Sequence, residues 1–80
     1  MAKSDMQLLG GMLRERKKAS RMRTSEITQA SGLSRPTVEA ILNGKNAKFD
    51  NVVAVCRIMG IRIMFMTERE YEAITRTTGR

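Results

Sequence analysis

The chain has no histidine, and Cys56 is the one cysteine among its 80 residues. Those gaps remove the commonest acid–base side chain, any His/Cys zinc site and any internal disulfide framework. Aromatic residues make up only 4% of the sequence, so no ring-anchored amphipathic face accompanies the basic residues as membrane-surface binding would want. No run of about 18 apolar residues exists; the longest apolar stretch, residues 52–66, is cut by Arg57 and Arg62. A secretory leader's apolar region is also missing, as are a Gly-rich phosphate loop and a nucleophile elbow. These absences argue against an enzyme and against a membrane protein. The expectation is a cytoplasmic chain that uses no metal and no other cofactor.

What is present is charge of one sign. Lys and Arg number 15 against 8 Asp and Glu, a net charge of +7, in a length that holds one small core. The imbalance points to an anionic partner. It is uneven along the chain: residues 1–62 carry 12 bases and 5 acids, whereas three Arg balance three Glu in residues 63–80. Within residues 14–23, six bases meet only Glu15. Such a run also reads as an ordinary solvated helix face.

Four helices follow from periodicity and punctuation. Ser4 and Gln7 form a capping-box pattern ahead of Met6, Leu9, Leu13 and Lys17, which recur at helical spacing with Leu8 and Met12 alongside. Gly10-Gly11 weakens this first helix; it suits close approach by another backbone, and a local bend is equally allowed. It is expected to fade near Ala19-Ser20. A short second helix begins at Arg23 or Thr24, turns Ile27 and Ala30 inward and ends at Gly32. Ser34, or Arg35 before Pro36, caps a third helix whose inner face is Val38, Ile41 and Leu42. Asn43-Gly44 stops it. Asp50 caps a fourth, with Val52, Val53, Val55, Cys56 and Met59 as its apolar stripe and Gly60 as its end. Cys56 and most of the seven methionines read as core filler.

Residues 61–66 change period. Ile61, Ile63 and Phe65 alternate with Arg62, Met64 and Met66, a strand pattern, although continuation of the fourth helix or a fifth helix is the alternative. A lone strand leaves its peptide groups unpaired. The same strand of a second copy, across a two-fold axis, would pair them and make a homodimer. Thr67-Glu68-Arg69-Glu70 is a second capping-box pattern, opening a short helix with Tyr71 and Ile74 to about Thr75; residues 77–80 look frayed. The division expected is residues 1–66 as the folded domain with its dimerisation strand (Ile61, Ile63, Met64, Phe65, Met66) and residues 67–80 as a terminal helix and tail.

Two short helices around Gly32-Leu33-Ser34 are a helix-turn-helix pattern. The third helix opens with Arg35, Thr37 and Glu39 on its polar side, flanked by Lys45 and Lys48, which suits entry into the major groove of DNA. Arg35 can bond guanine bidentately, while Ser34 and Thr24 can hold phosphates at helix starts.

From Leu9-Gly10 to Ile63 the sequence resembles the Cro and lambda-repressor (XRE) family of helix-turn-helix regulators. The resemblance rests on Leu9-Gly10-x-x-Leu13-Arg14-x-x-Lys17, Ile27-x-x-Ala30-Ser31-Gly32-Leu33-Ser34, Thr37-Val38-x-x-Ile41, Asn43-Gly44-Lys45 and Val52-x-x-Val55-Cys56-x-x-Met59-Gly60-Ile61. It implies a mostly α, four- to five-helix lambda-repressor-like DNA-binding domain, here with a C-terminal β-strand pairing across the homodimer. It implies base reading by Arg35, Pro36, Thr37 and Glu39. Phosphate contacts would fall to Arg23, Thr24, Ser34, Asn43, Lys45, Asn46 and Lys48. The implied partner is an inverted-repeat operator in double-stranded DNA, and the implied role that of a repressor.

Departures from the family are Thr24 in place of Gln, Thr28 in place of Ala, and Lys17 with Leu42 where many members pair Arg with Glu. The hydrophobic segment after Gly60 is similar to the dimer strand of HipB-type antitoxins, which implies a toxin partner and autorepression. The alternative is a protein-interaction module that keeps the fold without binding DNA.

Overall fold

The computed structural model describes residues 2–78, with side chains as far as residue 76. Its described residues form five helices: α1 (Asp5–Ser20), α2 (Thr24–Ser31), α3 (Arg35–Leu42), α4 (Phe49–Ile58) and α5 (Glu68–Thr78). α3 packs against α1, α2 and α4, and α2 also packs against α4. The third helix is therefore the hub of the bundle, held from several sides while its opposite face stays outward.

The core is the meeting of the predicted apolar stripes. Leu13 of α1, Ile27 of α2, Val38 and Ile41 of α3 and Val55 of α4 are wholly buried, with Leu42, Val52, Cys56 and Met59 nearly so. Each such aliphatic side chain contributes about 1.5–3 kcal/mol on burial. Leu33 packs against this cluster from the turn between α2 and α3. Cys56 is one of its members, and burial pushes its thiol up, away from the thiolate. Leu8 and Met12, alongside the stripe of α1, are exposed.

Helix ends carry the expected chemistry in most places. Ser4 Oγ accepts from the Gln7 backbone N–H and the Gln7 side chain accepts from Ser4 N–H, at 3.2 and 2.8 Å. Thr67 and Glu70 repeat this at α5. Three C-termini close with the backbone bond in which the residue after the left-handed position donates back across the last turn. These are Met22 to Lys17, Lys45 to Ala40 and Ile61 to Cys56.

Several expectations are corrected. Ala30 is exposed, because the inward face of α2 runs through Thr24, Ile27, Thr28 and Ser31, at i, i+3, i+4 and i+7. Ser34, not Arg35, caps α3; Arg35 is its first helical residue. α4 begins a residue before Asp50, with Lys48 in the cap position, so the Asp50 carboxylate lies in the first turn, where the helix dipole favours it. α5 runs to Thr78, beyond the expected Thr75, and takes in Thr77; Gly79 and Arg80, also expected to fray, lie outside the described residues.

Residues 61–67 belong to no helix and to no strand among the described residues, so the segment neither prolongs α4 nor shows the expected strand in this single chain. Ile61 and Ile63 rest half-buried on the core while Arg62 and Met64 are exposed, as alternation requires. Phe65 departs from it: the ring is 79% exposed and lies against Phe49, centroids 5.6 Å apart.

Candidate nucleic-acid interface

The turn between α2 and α3 is set by two residues. Gly32 adopts φ 73°, the left-handed conformation in which a side chain would be strained, and its N–H bonds Thr28 O at 3.0 Å. Ser34 then caps α3, its Oγ accepting from Thr37 N–H at 3.3 Å and lying 2.8 Å from Thr37 Oγ1. Pro36 falls in the first turn, where its missing N–H costs no helical bond. With Val38, Ile41 and Leu42 turned into the core, Arg35, Pro36 and Glu39 are left exposed and Thr37 half-buried. All four expected base-reading residues thus lie on the first turns of one helix.

On that face the Arg35 Nε donates to Glu39 Oε2 at 3.0 Å. It is the ion pair recorded among the described residues, and its side chains are 62% and 49% exposed.

The expected phosphate contacts fall into two groups. Arg23 and Thr24 lie at the start of α2, where Glu26 Oε1 accepts the Arg23 N–H at 2.7 Å and uses that orphan donor itself. Asn43, Lys45, Asn46 and Lys48 lie beyond the other end of α3, all exposed. A shallow groove brings Pro36, Thr37 and Ala40 of α3 to face Asn46, Lys48 and Asn51. Arg35, Glu39, Lys45 and the α2 residues do not line it. Asn51 escaped the sequence reading; its signal was an amide next to Asp50 in the first turn of α4.

The loop after α3 is fixed from α1. A Cβ built on Gly10 would stand 2.6 Å from Gly44 N and 2.7 Å from its Cα, so helix and turn meet backbone to backbone. Gly44 itself takes φ 76°. Beside it the Arg14 guanidinium donates to Leu42 O. The acceptor is the backbone carbonyl, since the Leu42 side chain offers none. Arg16 likewise donates to Met59 O at 3.2 Å, at the end of α4. Two of the six bases in residues 14–23 are therefore committed to internal carbonyls. That run is part structural clamp and only part free charge.

No group of three or more potential metal-ligating side chains occurs among the described residues, and no described helix is long and apolar enough to cross a membrane. A family model described as a Cro/C1-type HTH DNA-binding domain matches residues 12–64, more than half of the chain. No curated protein matches it.

Proposed function

Because the chain belongs to the Cro/C1-type helix-turn-helix DNA-binding domain family, we propose that it is a homodimeric, operator-binding transcriptional repressor. The observation that carries this reading is the exposed first turn of α3, capped by Ser34 and headed by Arg35. α3 enters the major groove by that end. Arg35 donates to guanine, and Pro36, Thr37 and Glu39 meet neighbouring base edges. Arg23, Thr24 and Ser34 on one side, and Asn43, Lys45, Asn46 and Lys48 on the other, hold phosphates and fix the register. Asn51 joins the second group through the shared groove.

Dimerisation falls to Ile61, Ile63, Met64, Phe65 and Met66. In favour of it, no backbone hydrogen bond is recorded for residues 62–66 among the described residues, and Met64 and Phe65 are 69% and 79% exposed. Pairing with the same segment of a second copy satisfies the peptide groups and covers the side chains together. The operator is then an inverted repeat with half-sites about 34 Å apart. Residues 1–66 form the DNA-binding and dimerisation unit and residues 67–80 an appendage. In a narrower form of the reading the protein is the antitoxin and autorepressor of a toxin–antitoxin pair. Its support is the place of the 61–66 segment directly after α4, and its test is co-purification with the product of an adjacent reading frame.

Binding to duplex DNA tests the proposal. Affinity is expected to fall steeply between about 50 and 200 mM salt as counterions are released. Arg35→Ala is expected to weaken binding by about 1–3 kcal/mol and to relax preference at one base position. An equal loss on every sequence would make Arg35 a phosphate contact, and salt-independent or absent binding would leave an interaction module.

A further inference from the structure

We infer that Glu39 is a specificity-determining positioning residue, which holds the Arg35 guanidinium by its Nε edge and so aims the opposite edge at guanine. The inference rests on the DNA-binding reading above and deepens it.

The pair sits badly for a helix-stabilising device. Arg35 is the first residue of α3, where the positive end of the helix disfavours a cation. The order is also reversed, since a base N-terminal to its acid at i, i+4 is the weaker arrangement. Exposure of both side chains leaves little net gain from the contact itself. Nothing about the helix calls for this pair, and Glu39 removes charge from the surface proposed to meet a polyanion. Its geometry supplies another use. Guanidinium has five N–H donors in a rigid planar fork. With Nε–H committed to Glu39 Oε2 at 3.0 Å, the two Nη groups form a parallel pair of donors with no other bond recorded among the described residues. That pair matches the O6 and N7 acceptors of guanine. A long, freely rotating side chain would lose rotamer freedom on binding, and tethering it beforehand reduces that loss.

The test compares the chain with Glu39→Ala and Glu39→Gln, measuring affinity for the duplex selected by the unmodified protein and for duplexes altered one base pair at a time. Both variants remove one negative charge, which adds a similar sequence-independent contribution to the affinity of each. The readout is instead the ratio between guanine and the other bases at the position that Arg35→Ala relaxes. Glu39→Ala is expected to lower that ratio by about three- to tenfold, a part of what a whole bidentate contact supplies. Glu39→Gln keeps an oxygen able to accept from Nε and is expected to restore most of it. Circular dichroism of each variant controls for helix loss. An unchanged ratio in Glu39→Ala overturns the inference, even where preference changes at the neighbouring base that Glu39 itself meets. If the unmodified chain selects no sequence, the DNA-binding reading and the inference fall together.

Discussion

Gly10 and Gly11 stand next to each other in α1 and face different surroundings. A methyl group on Gly10 would meet the backbone of Gly44 at 2.6–2.7 Å, and backbone cannot rotate aside. On Gly11 it would find nothing nearer than the end of Arg14, at 3.7 Å. Gly10→Ala is therefore expected to lower stability by about 1–3 kcal/mol, the usual cost of overpacking. Gly11→Ala is expected to raise it by about 1 kcal/mol through helix propensity. Chemical denaturation of the two variants checks both signs. Gly10→Ala should also displace the Asn43-Gly44 turn, which carries the second group of proposed phosphate contacts. The glycine pair was visible in sequence as a place of close approach, but which of the two is obligatory depends on the rotation of α1 against α3. Arg14 and Arg16 teach the same lesson: a run of bases reads as a surface patch until the carbonyls of Leu42 and Met59 are found within reach.

Among the elements, the first four helices were legible by their apolar stripes, and α2, α3 and α4 also by the glycines that follow them, whereas α1 closes on Arg21 at φ 58°. Boundaries were less so where caps compete. Ser34 and Arg35 both precede Pro36, and the extended conformation of Ser34 (ψ 155°) with its bond from Thr37 N–H identifies the cap. The 61–66 segment was legible as non-helical, yet a strand needs a neighbour, which one chain does not supply. Ile63→Asp is expected to convert a dimer to a monomer in light scattering. Because Ile63 also rests on its own core, Met64→Asp, at a 69% exposed position, separates association from folding and should do the same. A persistent dimer in both variants would place the interface elsewhere.

The start of α5 makes a pH prediction. Glu70 accepts the Thr67 backbone N–H at 2.9 Å, and this bond, more than that to the Thr67 hydroxyl, holds its carboxyl below the usual value. A lowered pKa in the folded state means that the contribution to stability is complete above the unfolded value and is lost as pH falls through the folded one. α5 is thus expected to fray at its N-terminus in acid, with Glu70 titrating below the usual glutamate value in a carboxyl NMR titration. Thr67→Ala, which leaves the larger backbone donor in place, should recover only part of the shift.

Taken whole, the molecule is a small core that fixes α3 from several sides, with exposed basic and amide side chains beyond both ends of that helix. The fold was readable because periodicity and turn glycines agreed, whereas the caps of α3 and α4 were fixed only by the structure. The face of α3 followed once Val38, Ile41 and Leu42 were assigned inward. Helical spacing made Arg35 and Glu39 neighbours but did not give their contact, and the place of Asn51 was not readable because it depends on side-chain reach between elements. Selection of bound duplexes from a random DNA pool at moderate salt tests the central claim most directly. The account predicts enrichment of an inverted repeat, with half-sites about 34 Å apart and a guanine in each half-site that Arg35→Ala no longer prefers. A folded chain that enriches no sequence would contradict it.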